Sequence, residues 1–204
     1  MDIDTLVRIT SRAWSLNILA SLDAGVPGRQ AALLAATGAS RTAFAQSLGH
    51  LVELGLLERN PGHGHPLRPE FRLTPKGIEM AAIAGQILKV GSKAARANGA
   101  DEEDIGKDPS GEETASRILL RRAWTVPILV VCQTPRHFGE IRGALAPISD
   151  RALSQSLKQL HAHRWLKRTT DPQMFPPRPL YRADNAGLGI GAAPGAIIDQ
   201  AANP

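Results

Sequence analysis

Arg151, Gln155 and Lys158 fall on one face of a helix that begins at Ser149, because residues three and four apart stack along a 3.6-residue turn. Leu153, Leu157 and Leu160 occupy the opposite stripe and are the expected buried side. Arg and Gln can each make paired hydrogen bonds to base edges in a major groove, and Lys can reach phosphate. Ser149 and Ser154 add hydroxyls at the start and flank of the same helix, and Arg168, Arg178 and Arg182 follow in two short extended segments. That combination suits double-stranded DNA, although a charged stripe taken alone is as readily a solvated face.

The pattern occurs a second time, upstream and with less charge. After Ser40, the residues Thr42, Gln46, Gly49 and Glu53 point outward while Phe44, Leu48 and Leu51 point inward. Arg41 is the basic residue near this helix start, and the outward face ends in a carboxylate, so it should bind DNA less well. Arg59, Arg68 and Arg72 occupy the extended segments that follow.

Little else suggests chemistry. No paired carboxylates, Ser-His-Asp set, glycine-rich phosphate loop or cysteine cluster is present, so neither an enzyme nor a cofactor is expected. His63-Gly64-His65 lacks a third metal ligand, so no metal is expected. His161 and His163, at the end of the second charged helix, suit packing or phosphate contact equally. Cys132, the single cysteine, ends the apolar run Val130-Val131 and reads as a buried thiol. It excludes an internal disulfide and fits a reducing cytoplasm.

The elements that hold these residues are written twice. Arg12-Ala13-Trp14-Ser15-Leu16-Asn17-Ile18-Leu19 returns as Arg122-Ala123-Trp124-Thr125-Val126-Pro127-Ile128-Leu129. Trp is rare, three in 204 residues, so two in register is strong evidence of duplication. The match extends through Ser40–Arg59 and Ser149–Arg168, which share Ala, Gln, Ser and Leu positions. Trp14 and Trp124 read as core or inter-module residues, with a ligand platform between modules as the other option.

Each copy predicts a short helix and then a second one capped near Ser15 or Thr125. Two helices joined by a tight turn follow, over Gln30–Ala36 and Ser40–Leu54, and over His137–Leu145 and from Ser149. Two strands come next: Leu56–Arg59 with Glu70–Leu73, and Trp165–Arg168 with Leu180–Ala183. Thr74-Pro75 starts a closing helix in the first copy. In the second, a Gly, Ala and Pro-rich sequence predicts that this helix is largely lost. The expected division is a module over 1–90, an acidic flexible linker over 91–113, a module over 114–188 and a disordered tail over 189–204.

Charge follows the same division. Net charge is +2 over residues 1–90, −4 over 91–113 and +7 over 114–204, within a total of +5 and a pI of about 9.9. An anionic partner should meet the second module. The start lacks the pattern of a signal peptide and no apolar run reaches the roughly 20 residues of a membrane span, so a cytoplasmic, nucleoid-associated protein without membrane contact is expected.

The order of helix, Trp-initiated helix, helix-turn-helix, two-stranded wing and closing helix resembles a winged helix-turn-helix of the HxlR type, within the wider MarR-like regulators. The resemblance is closest at Trp124–Leu129, Arg136–Arg142, Ile148–Leu160 and Pro179–Tyr181, and recurs at Trp14, Ser40–Leu48 and Leu73–Gly77. It implies a mainly α fold with small β-wings (α+β), here as a tandem, and a bacterial-type transcriptional regulator. Such proteins usually carry one domain per chain and work as homodimers, so two domains in one chain raise an intramolecular pseudo-dimer as the alternative to self-association. Redox-sensing members keep their cysteine near the N-terminus, unlike Cys132. The resemblance leaves any small-molecule effector unknown. The first module is either a weaker second reader or a dimerisation and pocket-forming partner. A second class remains: winged helices that bind protein, as in chromosome-organising complexes.

Overall fold

The computed structural model describes residues 2–61, 69–98, 110–171 and 174–201. The first module runs α1 (Ile3–Thr10), α2 (Ser15–Asp23), α3 (Gln30–Thr37), α4 (Arg41–Glu53), β1 (Leu57–Asn60), β2 (Glu70–Leu73) and α5 (Pro75–Asn98). The second runs α6 (Ser110–Leu120), α7 (Thr125–Val131), β3 (Arg136–His137), α8 (Phe138–Ala144), α9 (Asp150–Ala162), β4 (Leu166–Asp171), β5 (Arg178–Ala183) and α10 (Ala186–Ala201). Helix dominates, with one small antiparallel sheet in each module: β1-β2, and β3-β5-β4. The fold is therefore α+β, a tandem winged helix-turn-helix.

Local chemistry explains the helix-turn-helix twice over. Ser40 and Ser149 sit in extended backbone, and their hydroxyls accept from the Ala43 and Ala152 amides at 3.4 and 3.2 Å. Those bonds satisfy first-turn donors that no helix residue could reach. α3 ends on Gly38 at φ +65 and α4 gives way to β1 through Gly55 at φ +68, conformations that glycine adopts without steric cost. The apolar stripes are buried as expected: Phe44, Leu48 and Leu51 in α4, Leu153, Leu157 and Leu160 in α9.

Gly77 and Gly187 do one job in their respective modules. Each sits in the first turn of the closing helix, where a Cβ would collide with the carbonyl oxygen of Leu56 or of Trp165. Those two carbonyls accept the amides of Thr74 and Asp184, both at 3.0 Å. The closing helix thus lies directly on the start of each wing.

Three expectations are corrected. α10 is present: residues 189–201, expected to be disordered, are helical with Pro194 inside the helix. Its poor local propensity is overridden by packing. Gly191 approaches the Leu129 carbonyl more closely than a larger residue could, and Gly189 packs tightly against Val90. The segment expected as linker from 91 is helix to Asn98 and again from Ser110; its acidic centre lies outside the described residues. Ser15 and Thr125 are not caps, since α2 and α7 are preceded by Trp14 and Trp124 at the cap positions. Instead the buried Thr125 hydroxyl donates to the Leu119 carbonyl at 2.7 Å, and the buried Ser15 hydroxyl has no hydrogen-bond partner among the described residues.

The modules share one continuous apolar core. α5 packs against both α6 and α10, and α1 packs against α7. A partly buried hydrogen bond runs from the Thr10 hydroxyl to the Ala123 carbonyl at 2.7 Å.

Candidate nucleic-acid interface

α9 presents Arg151, Ser154, Gln155 and Lys158 to solvent, one apolar stripe away from the core. None of these four has an ion-pair or side-chain hydrogen-bond partner among the described residues. Asp150, in the first turn, is held by Arg142 of α8 at 3.2 Å, which offsets the negative charge beside this exposed face. Ser149 is exposed but spends its hydroxyl as the cap.

The wing of the second module adds Arg168, Arg178 and Arg182, all exposed. In the β4-β5 ladder Lys167 stands opposite Arg182 and Arg168 opposite Tyr181. Directly opposed like charges destabilise a ladder unless an anion covers them. The wing is tied to the helix-turn-helix by His137, whose Nε2 lies 3.2 Å from Asp171 Oδ2 and whose Nδ1 lies 3.2 Å from the Pro179 carbonyl. The His137 amide donates to Glu140 at 2.7 Å, fixing the start of α8 on the same strand.

The first module brings Arg41, Thr42, Gln46 and Arg59 to its surface, with Ser40 again used as a cap. Its wing is neutralised. Glu58 stands opposite Arg72, and Glu70 takes both Arg72 at 3.7 Å and Arg29 at 3.4 Å. Arg68, His63 and His65 lie outside the described residues.

Trp14 and Trp124 separate in role. The guanidinium of Arg121, from the second module, covers the half-buried Trp14 ring at 4.3 Å from its centroid, so Trp14 is an inter-module residue. Trp124 packs half-buried against the shared core. His161 and His163 are both engaged locally: His161 Nδ1 lies 3.0 Å from the Leu166 carbonyl, and His163 Nε2 lies 2.9 Å from the Ser116 hydroxyl with its ring edge-on to Trp165. Burial pushes the Cys132 thiol up to about 12, so almost no thiolate exists near neutral pH. No group of three or more His, Cys, Asp or Glu gathers as a metal site among the described residues. No helix among them is long and apolar enough to cross a membrane.

Sequence reasoning missed three residues of this surface. Lys167 joins the basic face only through its strand register. Arg164 occupies a left-handed conformation, φ +57, at the turn into β4. Phe175 is 99% exposed in the wing loop. The alternation of strand residues could have found Lys167, while the other two depend on loop geometry.

Comparisons with known proteins bear on this arrangement. The sequence model of the HxlR-like helix-turn-helix family matches residues 9–98 and again residues 119–200. A solved structure described as a MarR-family transcriptional regulator from Porphyromonas gingivalis W83 is similar at 28% identity, over 48% of this chain and 91% of its own, with a TM-score of 0.36. No curated protein matches. Matched twice and over most of its length, the chain belongs to the HxlR-like helix-turn-helix family, DNA-binding transcriptional regulators of the winged helix-turn-helix type.

Proposed function

We propose that this chain is a single-chain pseudo-dimeric regulator whose second module is the principal DNA reader. One observation carries the reading: α9 and the β4-β5 wing expose Arg151, Lys158, Lys167, Arg168, Arg178 and Arg182, and the carboxylate that faces one of them across the ladder, Asp171 opposite Arg178, lies against His137. Arg151 and Gln155 read base edges in the major groove, Lys158 contacts phosphate, and Arg178 follows the backbone or minor groove. The first module, with Arg41, Thr42 and Gln46 on α4 but a neutralised wing, is a weaker second reader or the dimer-like partner that positions the first. The Thr10–Ala123 hydrogen bond and the Arg121–Trp14 stack support pairing within one chain rather than between chains. On this reading the protein works at the nucleoid in the cytoplasm.

The test is binding of the full chain to a duplex selected from genomic fragments, with solution mass measured alongside. An Arg151→Ala/Gln155→Ala variant should lose sequence-specific binding at fixed salt, and unchanged affinity would sink the assignment. A monomeric mass with specific binding supports the pseudo-dimer, whereas a dimer of chains refutes it. Wild-type protein that ignores duplex DNA across a salt series would turn the reading to a winged-helix scaffold for protein partners.

A further inference from the structure

Phe175, in the loop between β4 and β5, is 99% exposed. The other exposed large apolar residues described, Ile78, Ile118 and Leu188, lie on helices that cover roughly half of each. Phe44 and Phe71 are buried and Phe138 is half-buried. A ring held wholly in water forgoes the burial that drives apolar side chains inward, and a partner that covers it restores that gain.

Lone apolar residues are common on protein surfaces, so the setting of Phe175 is what singles it out. The wing ladder ends at the Asp171–Arg178 pair, which places the ring within the connecting loop, residues 172–177. Pro176 and Pro177 follow it directly, and each fixes a backbone dihedral, which limits how the ring can fold back. The base of the loop is clamped to the helix-turn-helix. His137, at the start of α8, lies 3.2 Å from Asp171 Oδ2 through Nε2 and 3.2 Å from the Pro179 carbonyl through Nδ1. Phe175 is thus carried at the tip of an arm fixed to the second module.

Cations line that arm. Lys167, Arg168, Arg178 and Arg182 are all exposed on its two strands, and Arg178 is three residues from the ring. A partner for the tip must be anionic at its surface and apolar just beneath. Double-stranded DNA is both, with phosphates along the groove edges and base faces stacked inside. A phenyl ring gains no hydrogen bond from phosphate, so its gain comes from apolar base surface. Reaching a base face requires opening one base step. The loop of the first wing, residues 61–69, holds no Phe, Tyr or Trp, so each chain carries one such ring.

We propose that Phe175 is a wedge: it enters the minor groove of a bound duplex, partly unstacks one base step and bends the DNA toward the major groove. The wing cations lie along the flanking phosphates and hold the ring in place. This rests on the DNA reading of the second module and adds a deformation to it. TA and CA/TG steps open most easily, so the chain prefers one of them beneath the wing tip, and that preference needs no hydrogen bond to a base.

The experiment uses the full chain and a duplex that it selects from randomised sequence, with a donor and an acceptor dye at the two ends. A second set of duplexes carries 2-aminopurine in place of one adenine at a time. Wild-type protein should bring the ends closer and brighten 2-aminopurine at one step. Phe175→Ala should abolish both signals and weaken binding about tenfold, the scale of one lost ring–base stack. Its salt dependence should stay within about half a unit of slope, because no phosphate contact is lost. Phe175→Leu keeps an apolar wedge and should retain the bend. Thermal unfolding should match between wild type and both variants, since the exposed ring adds nothing to the core. The proposal is overturned if bound duplex stays straight and stacked, or if Phe175→Ala bends it as wild type does. It is overturned equally if Phe175→Ala leaves duplex affinity unchanged and alters solution mass, which makes the ring a contact between protein chains. Those outcomes leave the DNA reading standing, whereas a wild-type chain that selects no duplex at any salt ends both.

Discussion

At matching positions of the two wings, Glu58 faces Arg72 in the first module and Lys167 faces Arg182 in the second. The backbone ladders are alike, and the closing helices rest on them through Gly77 and Gly187 in the same way. The second sheet has longer wing strands and adds β3, and the facing side chains differ in charge. The first wing satisfies its own charge, with Glu70 also holding Arg29 and Arg72. In the second, Lys167 and Arg182 oppose each other, and Asp171 faces Arg178. The scaffold is shared and the surfaces differ, so the fold alone gives both modules one task, and the division of labour proposed above rests on their electrostatics.

The sharpest way to break this comparison is α9 itself. Arg151→Ala/Gln155→Ala should cost roughly 2–4 kcal/mol of specific duplex affinity if each side chain reads a base, measured by mobility shift at fixed salt; a loss no larger than that of Thr42→Ala/Gln46→Ala would erase the distinction between modules. Structural equivalence predicts that Gly77→Val and Gly187→Val each destabilise by about 1–3 kcal/mol or more through collision with a carbonyl. Chemical denaturation should show both effects, and a neutral Gly187→Val would mean that α10 contributes little.

Exchanging the wing charges sharpens the contrast further. Lys167→Glu gives the second wing the pattern of the first, and should weaken binding while flattening the salt dependence by about one unit of slope. Glu58→Lys makes the reverse change, and steepens the slope by a similar amount, about one unit, only if the first module lies on DNA. An unchanged slope there would assign the first module to positioning alone. The smallest effect should come from Arg41→Ala, a lone exposed cation, at less than about 1 kcal/mol.

Much of the exposed surface of α9 was legible in the sequence. The spacing of Leu153, Leu157 and Leu160 sets which face of α9 is buried, and that leaves Arg151, Gln155 and Lys158 outside whatever surrounds them. Ser40 and Ser149 mark their helices because capping is a contact within one turn. Ser15 and Thr125 misled for the opposite reason: they have a cap's composition but are buried, and Thr125 spends its hydroxyl on the Leu119 carbonyl, six residues back. α10 was missed because its glycines and Pro194 disfavour a helix locally, and the stability comes from packing against α5 and α7. The Arg121–Trp14 contact was beyond the sequence too, since the two residues are far apart along the chain.

The sequence by itself determined what depends on neighbours within a turn or a strand: two copies of one winged helix-turn-helix, their caps, their buried stripes and the excess of cations in the second. Only the tertiary structure decided what depends on distant surfaces meeting. It packed the copies into one core, made a helix of a stretch that lacks local drive, set Lys167 against Arg182, and laid the arginine of one module over the tryptophan of the other. Local periodicity is written in the order of residues, whereas burial and charge opposition between remote segments exist only once the chain has closed on itself.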